Sequence, residues 1–244
     1  MILYTMPFVI LAMFLYERIV HSRKWPDVKD WYARSTIIIL VQFATVYAGF
    51  FLWDRLFFIR SWPLLRDLNT AWQVSVGFAV ISFVSYWQHR LKHRFDFLWK
   101  YFHQIHHSPR RVEILTSFYR SPLEILVNMI LMSLIMYMLL GLSTESGAFV
   151  VFAMGLADLF YHWNIRTPTW IGYIIQRPES HCIHHLTGVH AFNYGDIAIW
   201  DIVFGTFKNP QDFSGQCGFT ENMELQFMKL MTGQITEEHR MERH

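Results

Sequence analysis

The sequence is short of charge and almost free of cysteine. Only 16% of its 244 residues are Asp, Glu, Lys or Arg, against 53% hydrophobic and 18% aromatic, and the mean hydropathy is +0.20. That balance is not the profile of a soluble domain, and a formal net charge of +2 leaves no strongly basic surface for nucleic acid. Two cysteines, Cys182 and Cys217, cannot staple a disulfide scaffold. Neither a zinc-finger cysteine spacing nor a glycine-rich nucleotide loop is present. In their place stand long apolar runs and clustered histidines.

Five runs read as helices of nearly membrane-spanning length, at residues 2–16, 36–53, 71–87, 122–142 and 146–163. The first lacks a basic start and a small-residue cleavage site, which argues against a removable signal peptide. It is also short for a span. The third enters "QHRLKH" without a break. The fourth opens on "SPLE", where Ser121 can cap, Pro122 suits the first turn and Glu124 occupies the capping-box position. Only "GLSTESG" separates it from the fifth, so the two read as a helical hairpin. Lipid offers free backbone groups no partner, which makes helix the only option for each run.

Basic residues set the orientation. Arg18, Arg23, Lys24, Lys29 and Arg34 follow the first run, and residues 90–120 are rich in Arg and Lys, which places both stretches in the cytoplasm. The "GLSTESG" turn carries no base, as expected on the far side. The three arginines of residues 55–66 fit this alternation poorly. Residues 164–244 are more polar and read as part of a cytoplasmic cap, with a solvated tail. The expected architecture is an all-α integral membrane protein. It has four to five transmembrane helices beneath a histidine-rich helical cap, in one domain over residues 1–244.

Three motifs carry the chemistry: "HRLKH" with His89 and His93, "HQIHH" with His103, His106 and His107, and "HCIHH" with His181, His184 and His185. Residues four apart on a helix share a face, with Cβ atoms about 5–6 Å apart. Adjacent residues point about 100° apart. A cluster of the HxxHH type can therefore feed two neighbouring ions, and two-metal sites hold their ions about 3.5–4 Å apart. Imidazole suits iron, zinc, copper and nickel. His162, in "YHWN", is a ninth candidate ligand. His190 stays open between ligand, support for a ligand and loop contact. Asp158, four residues before His162, could neutralise the site or hold a ring, or else bond to a neighbouring helix or Arg166. Asp196 could likewise hold an imidazole N–H, whereas Asp201 reads as a local turn residue. Cys182 reads as a packed thiol, His21 as an interfacial residue, and His239 and His244 as parts of the polar tail.

These motifs, with the downstream "NYGDIAIWDIVFGTF", resemble the fatty acid hydroxylase/sterol desaturase superfamily of membrane di-iron oxygenases. The resemblance covers residues 71–209 and leaves 210–244 as a polar tail. It implies two irons held by His89, His93, His103, His106, His107, His181, His184 and His185, with His162 as a further ligand. It also implies O2 as co-substrate, electrons from a separate reductase or carrier protein, and hydroxylation or desaturation of a C–H bond in a sterol, fatty acyl or related lipid drawn from the bilayer. Two other readings stand beside it: a histidine-rich membrane zinc hydrolase or isomerase, and a non-enzymatic metal-binding membrane protein. Clustering of the ligands at one membrane face disfavours a transport path.

The expected orientation has a direct check. With Arg110→Cys and Thr144→Cys introduced separately, a membrane-impermeant thiol reagent outside intact cells should modify position 144 and spare position 110. The reverse pattern would invert the topology.

Overall fold

A computed structural model describes residues 2–56 and 64–236. The middle of the 55–66 basic stretch, and the tail beyond 236 with His239 and His244, lie outside these residues. The described chain forms helices and contains no strand, only two isolated bridges, Ile175 to Ile197 and Leu186 to Cys217.

Five long helices match the five apolar runs. A 3-10 turn, Ile2–Thr5, leads into α1, Met6–Ile19. Next come α2, Trp31–Leu56, and α3, Thr70–Arg94. Asn69 caps α3, its side chain accepting from the Trp72 N–H at 3.1 Å. The helix then runs through "HRLKH" unbroken, carrying His89 and His93 out of the apolar segment on one rod. A π-helical turn, Trp99–His103, feeds the short α4, Gln104–His107. Helix α5, Pro122–Ser133, continues as a π-helical segment, Leu134–Leu139, and α6 is Thr144–His162. Ser121 does cap α5 through the Glu124 N–H at 3.1 Å, but the Glu124 carboxylate does not complete a capping box; it turns to Lys92 and His103. Two short helices, α7 (Pro178–His184) and α8 (Ala198–Val203), complete the part that concerns the site.

Among the described residues, two windows are long and apolar enough to cross a membrane by length and composition, Ile2–Ile19 and Pro122–Leu139. The outer faces of α1 and α2 leave Phe8, Leu11, Ile37, Leu40, Phe43 and Tyr47 exposed. The interior divides in two. One apolar cluster, Ile81, Met136, Leu140, Leu142 and Val150, packs α3 against the α5–α6 hairpin. The other, around Trp31, Trp99, Tyr119, Phe219 and Leu230, packs the histidine-bearing end. Buried polar side chains include Lys92, Glu124 and the histidines of the site described below, and a separate set around Glu17, Glu113, Arg177 and Glu179.

Gly77 sets how closely α3 approaches the hairpin. A Cβ there would sit 2.9 Å from Leu142 Cδ1 and 3.1 Å from Val150 Cγ2. Gly77→Val should therefore overpack this contact and destabilise the purified protein by about 1–3 kcal/mol, visible as a lowered Tm. An unchanged Tm would mean that the helices pack less closely than described.

Candidate metal centre

Four separate pieces of chain bring nine histidines together. Helix α3 supplies His89 and His93; the π turn and α4 supply His103, His106 and His107; the end of α6 supplies His162; α7 and the residue after it supply His181, His184 and His185. They fall into two groups. His89, His93, His103, His107 and His184 form one; His106, His162, His181 and His185 form the other; within each, the candidate ligand atoms lie within 4.8 Å of one another. Both adjacent pairs divide between the groups, His106 from His107 and His184 from His185, as the 100° turn between neighbouring helical residues requires. The groups are contiguous: the rings of His107 and His185 stack across the boundary with centroids 4.1 Å apart.

The outer ring nitrogens show which atoms face inward. His89 Nδ1 donates to the Tyr194 carbonyl at 2.8 Å, His184 Nδ1 to the Phe192 carbonyl at 2.7 Å and His162 Nδ1 to the Asp158 carbonyl at 2.8 Å. His103 Nδ1 donates to Glu124 Oε1 at 2.9 Å. A carbonyl can only accept, so those Nδ1 atoms carry the proton and the Nε2 atoms are left as lone pairs. The Nε2 atoms of His89 and His184 are buried with no hydrogen-bond partner. In the second group, His162 Nε2 lies 3.3 Å from His106 Nε2 and 3.0 Å from His181 Nε2, and His181 Nε2 lies 3.0 Å from His185 Nε2. Ring nitrogens this close in a buried space, four of them lone pairs by the bonds above, are best satisfied by a shared cation. Metal–nitrogen bonds of about 2.0–2.1 Å put neighbouring ligand nitrogens roughly 3 Å apart, the spacing seen here. The donor set therefore fits bound metal ions.

The surroundings reinforce the neutral form. Burial pushes His103 down to about 4 despite the Glu124 carboxylate beside it, and holds His181, His184 and His185 well below the ordinary imidazole value. Neutral imidazole is the form that binds metal.

The remaining candidates take definite places. His190 belongs to neither group; its Nδ1 lies 3.1 Å from His107 Nδ1, on the outer side of that ring. The Asp158 carboxylate takes Arg120 Nη2 at 2.6 Å and the Tyr161 hydroxyl at 2.6 Å, while the His162 ring is held by the Asp158 backbone carbonyl. Arg166 pairs with Asp212 instead. Asp196 Oδ1 lies 3.1 Å from the Tyr161 hydroxyl, so it meets the site through that ring, which packs on His181. Asp201 accepts from the Tyr194 and Gly195 N–H groups, a turn role. Cys182 is a buried free thiol.

Sequence reasoning missed three contributors. Glu124 was hidden behind its helix-capping position. Lys92 bonds Glu124 at 2.9 Å and Asn128 at 3.1 Å. The loop "HAFN" holds His190, Phe192 and Asn193 at positive φ (45°, 68° and 48°), which turns the backbone so that the Phe192 and Tyr194 carbonyls face imidazoles. Non-glycine residues so close together at positive φ were the one available signal, and sequence does not display backbone angles. Beside the histidines opens a cavity of about 420 Å³. His89, His103 and His106 form one wall, and Met132, Met136, Val150 and Met154 line its apolar end.

A profile of the fatty acid hydroxylase family matches residues 74–206, more than half of the sequence. The chain belongs to the fatty acid hydroxylase family. Within curated members it is 28% identical over 177 residues to the ornithine lipid hydroxylase OlsE of Rhizobium tropici, covering 70% of this chain and 53% of that one. It is 30% identical over 152 residues to the alkylglycerol monooxygenase of Danio rerio, covering 59% and 32%. With the Homo sapiens alkylglycerol monooxygenase the figures are 29% over 148 residues, covering 57% and 32%. The chain thus spans about half of the first relative and a third of the others. No solved structure matches it. Those relatives are lipid hydroxylases and monooxygenases by name, and every one of the nine clustered histidines of this fatty acid hydroxylase family member falls inside the matched residues.

The burial of neutral histidines sets a pH dependence. Their folded values lie below the unfolded value of about 6.5, so the unfolded chain binds more protons between that pH and about 4, where His103 titrates. The histidine contribution to stability is complete above about 6.5 and is lost as pH falls through that window. The Tm of metal-free protein should drop between pH 6.5 and 4; a flat Tm across it would show that the rings are not buried neutral.

Proposed function

We propose that the protein is a membrane-bound di-iron lipid oxygenase. Its reaction is hydroxylation or desaturation of a C–H bond in a sterol, fatty acyl or related lipid, with O2 as co-substrate and electrons from a separate donor protein. One observation carries this reading: two contiguous groups of closely packed, largely buried imidazoles beside a mainly apolar cavity, with the Nε2 lone pairs of four rings turned inward. The relatives named as lipid hydroxylases and monooxygenases support the reaction class.

His89, His93, His103, His107 and His184 would hold one iron, and His106, His162, His181 and His185 the other. His190 would support His107 rather than ligate. Iron with O2 supplies the oxidising power that an unactivated C–H bond needs. The chain's own residues do the rest. The Phe192, Tyr194 and Asp158 carbonyls and the Glu124 carboxylate fix the tautomer and tilt of His184, His89, His162 and His103, which typically governs metal affinity or activity 10–100-fold. Glu124 also places a negative charge beside a site whose ligands are all neutral. Methionines and valines at the far end of the cavity accept an alkyl chain and keep water from it. The reading includes four to five membrane spans in a single domain, with the histidine-rich end in the cytoplasm. The windows Ile2–Ile19 and Pro122–Leu139 are apolar enough to span, and the excess of Arg and Lys between 90 and 120 supports the cytoplasmic orientation.

Iron analysis of protein purified anaerobically should find about two ions per chain with the spectroscopic signature of an exchange-coupled pair. His184→Ala should lower bound iron and abolish lipid oxidation while the protein stays in the membrane. Zinc in place of iron in the wild type, or full iron and turnover in the variant, would refute the assignment.

A further inference from the structure

Part of the chain outside the five long helices lies at the depth of the apolar spans. Contacts between α3 and the α5–α6 hairpin fix a register. Lys92 bonds Glu124, Gln88 bonds Asn128 at 2.7 Å, and Gln73 Oε1 accepts from the Ser143 N–H at 2.9 Å. The two elements run antiparallel, so Ser82 stands level with Leu134, well inside the apolar window Pro122–Leu139. Helix α8 packs at that level. Trp200 Nε1 donates to Ser82 Oγ at 3.1 Å, the Trp200 ring meets Phe83 edge-on, and Phe204 packs on Phe83, Tyr86 and Trp87. Ser82 precedes His89 by seven residues, so α8 reaches about 10 Å along α3 from the metal centre towards the membrane interior.

The outward face at this level is apolar. Ile199, Ile202 and Val203 on α8, with Trp170 and Tyr173 on the neighbouring 3-10 turn, Thr169–Tyr173, and Ile174 just after it, are each 44–64% exposed. The two pieces are joined by backbone bonds from Ala198 N to Ile174 O and from Gln176 N to Asp196 O. Residues 167–175 contain no charged side chain, and in residues 195–207 the only two, Asp196 and Asp201, are buried. Charge returns at the borders, with Arg166 and Lys208. A patch of this size and composition on a soluble face would be an association or aggregation surface. Here it is continuous with α3, whose Phe83 is itself partly exposed beside Trp200.

We infer that the turn Thr169–Tyr173, Ile174 and helix α8 form a hairpin seated in the acyl region of the bilayer, dipping from the cap without crossing. This rests on the reading that α5 spans the membrane. The hairpin shields its own backbone, as lipid demands: its two strands of chain bond to each other, and the Asp201 carboxylate takes the Tyr194 and Gly195 N–H groups at its start. Its partner is lipid hydrocarbon. Tyr194 and Asp196, at its root, also line the cavity, so the substrate chamber and the bilayer share this wall.

Depth quenching in the intact protein tests this. Single variants Ile174→Cys, Val203→Cys, Asp212→Cys and Val127→Cys, all at partly or fully exposed positions, would be labelled with an environment-sensitive fluorophore; Cys182 and Cys217 are buried. In phosphatidylcholine vesicles, acyl-brominated lipid should quench positions 174 and 203 several-fold more than position 212, as it quenches 127 on α5. Aqueous iodide should show the opposite order. If iodide reaches 203 and 174 as it reaches 212, while brominated lipid still quenches 127, the hairpin lies in water and the inference fails. If brominated lipid spares 127 as well, the spanning role of α5 fails and the inference falls with it.

Discussion

The structure depends on where the outer nitrogen of each imidazole goes. Gathering nine histidines in a buried space is unfavourable on its own, because an unpaired buried polar group costs about 1–3 kcal/mol. Fixing four of the rings by their Nδ1–H eases that problem and directs their other nitrogens inward. Three of the four acceptors seen are backbone carbonyls, from Asp158, Phe192 and Tyr194. A carbonyl cannot change its protonation, so the tautomer it imposes is insensitive to its surroundings. The fourth acceptor is the Glu124 carboxylate, tied down in turn by Lys92. It brings a charge where the others bring none.

This arrangement explains the loop that follows α7. Three non-glycine residues within four positions sit at positive φ, each at a cost on the order of 1–3 kcal/mol. That strain aims the carbonyls of two alternate residues, Phe192 and Tyr194, at two imidazoles, and Asp201 and Asn193 hold the turn in place through N–H groups at Tyr194, Gly195 and Lys208. Strain here is offset by rings that could otherwise rotate away from the centre.

Much of this was legible in the sequence. The HxxHH spacing pointed to clusters able to serve two neighbouring ions, and the structure places His106 apart from His107 and His184 apart from His185 in two groups. The apolar runs and the Ser121 cap gave the long helices closely. The supports were harder. Asp158 stands on the same face as His162, as the spacing demanded; its backbone carbonyl makes the shorter bond to the ring, while the carboxylate, 3.5 Å from His162 Nδ1, also takes Arg120 and Tyr161. A carbonyl acceptor has no residue signature, so Phe192 and Tyr194 were invisible for the same reason. Glu124 satisfied a local rule so well that its tertiary role was masked. Residues 167–175 and 195–207 are too short to register as membrane segments, and their depth depends on packing against α3, a long-range fact.

The division of the two dipeptides has a consequence for assembly. One peptide bond joins His106 to His107 and another joins His184 to His185, so each short helix serves both groups at once. On the two-ion reading, an ion captured by either group would freeze the backbone that carries most of the other group's donors. The second capture would then meet a largely pre-ordered cage and lose less chain entropy than the first. Half-filled molecules would therefore be scarce during loading, and stripping one ion would loosen its neighbour: the pair would behave as a single cooperative unit written into two peptide bonds.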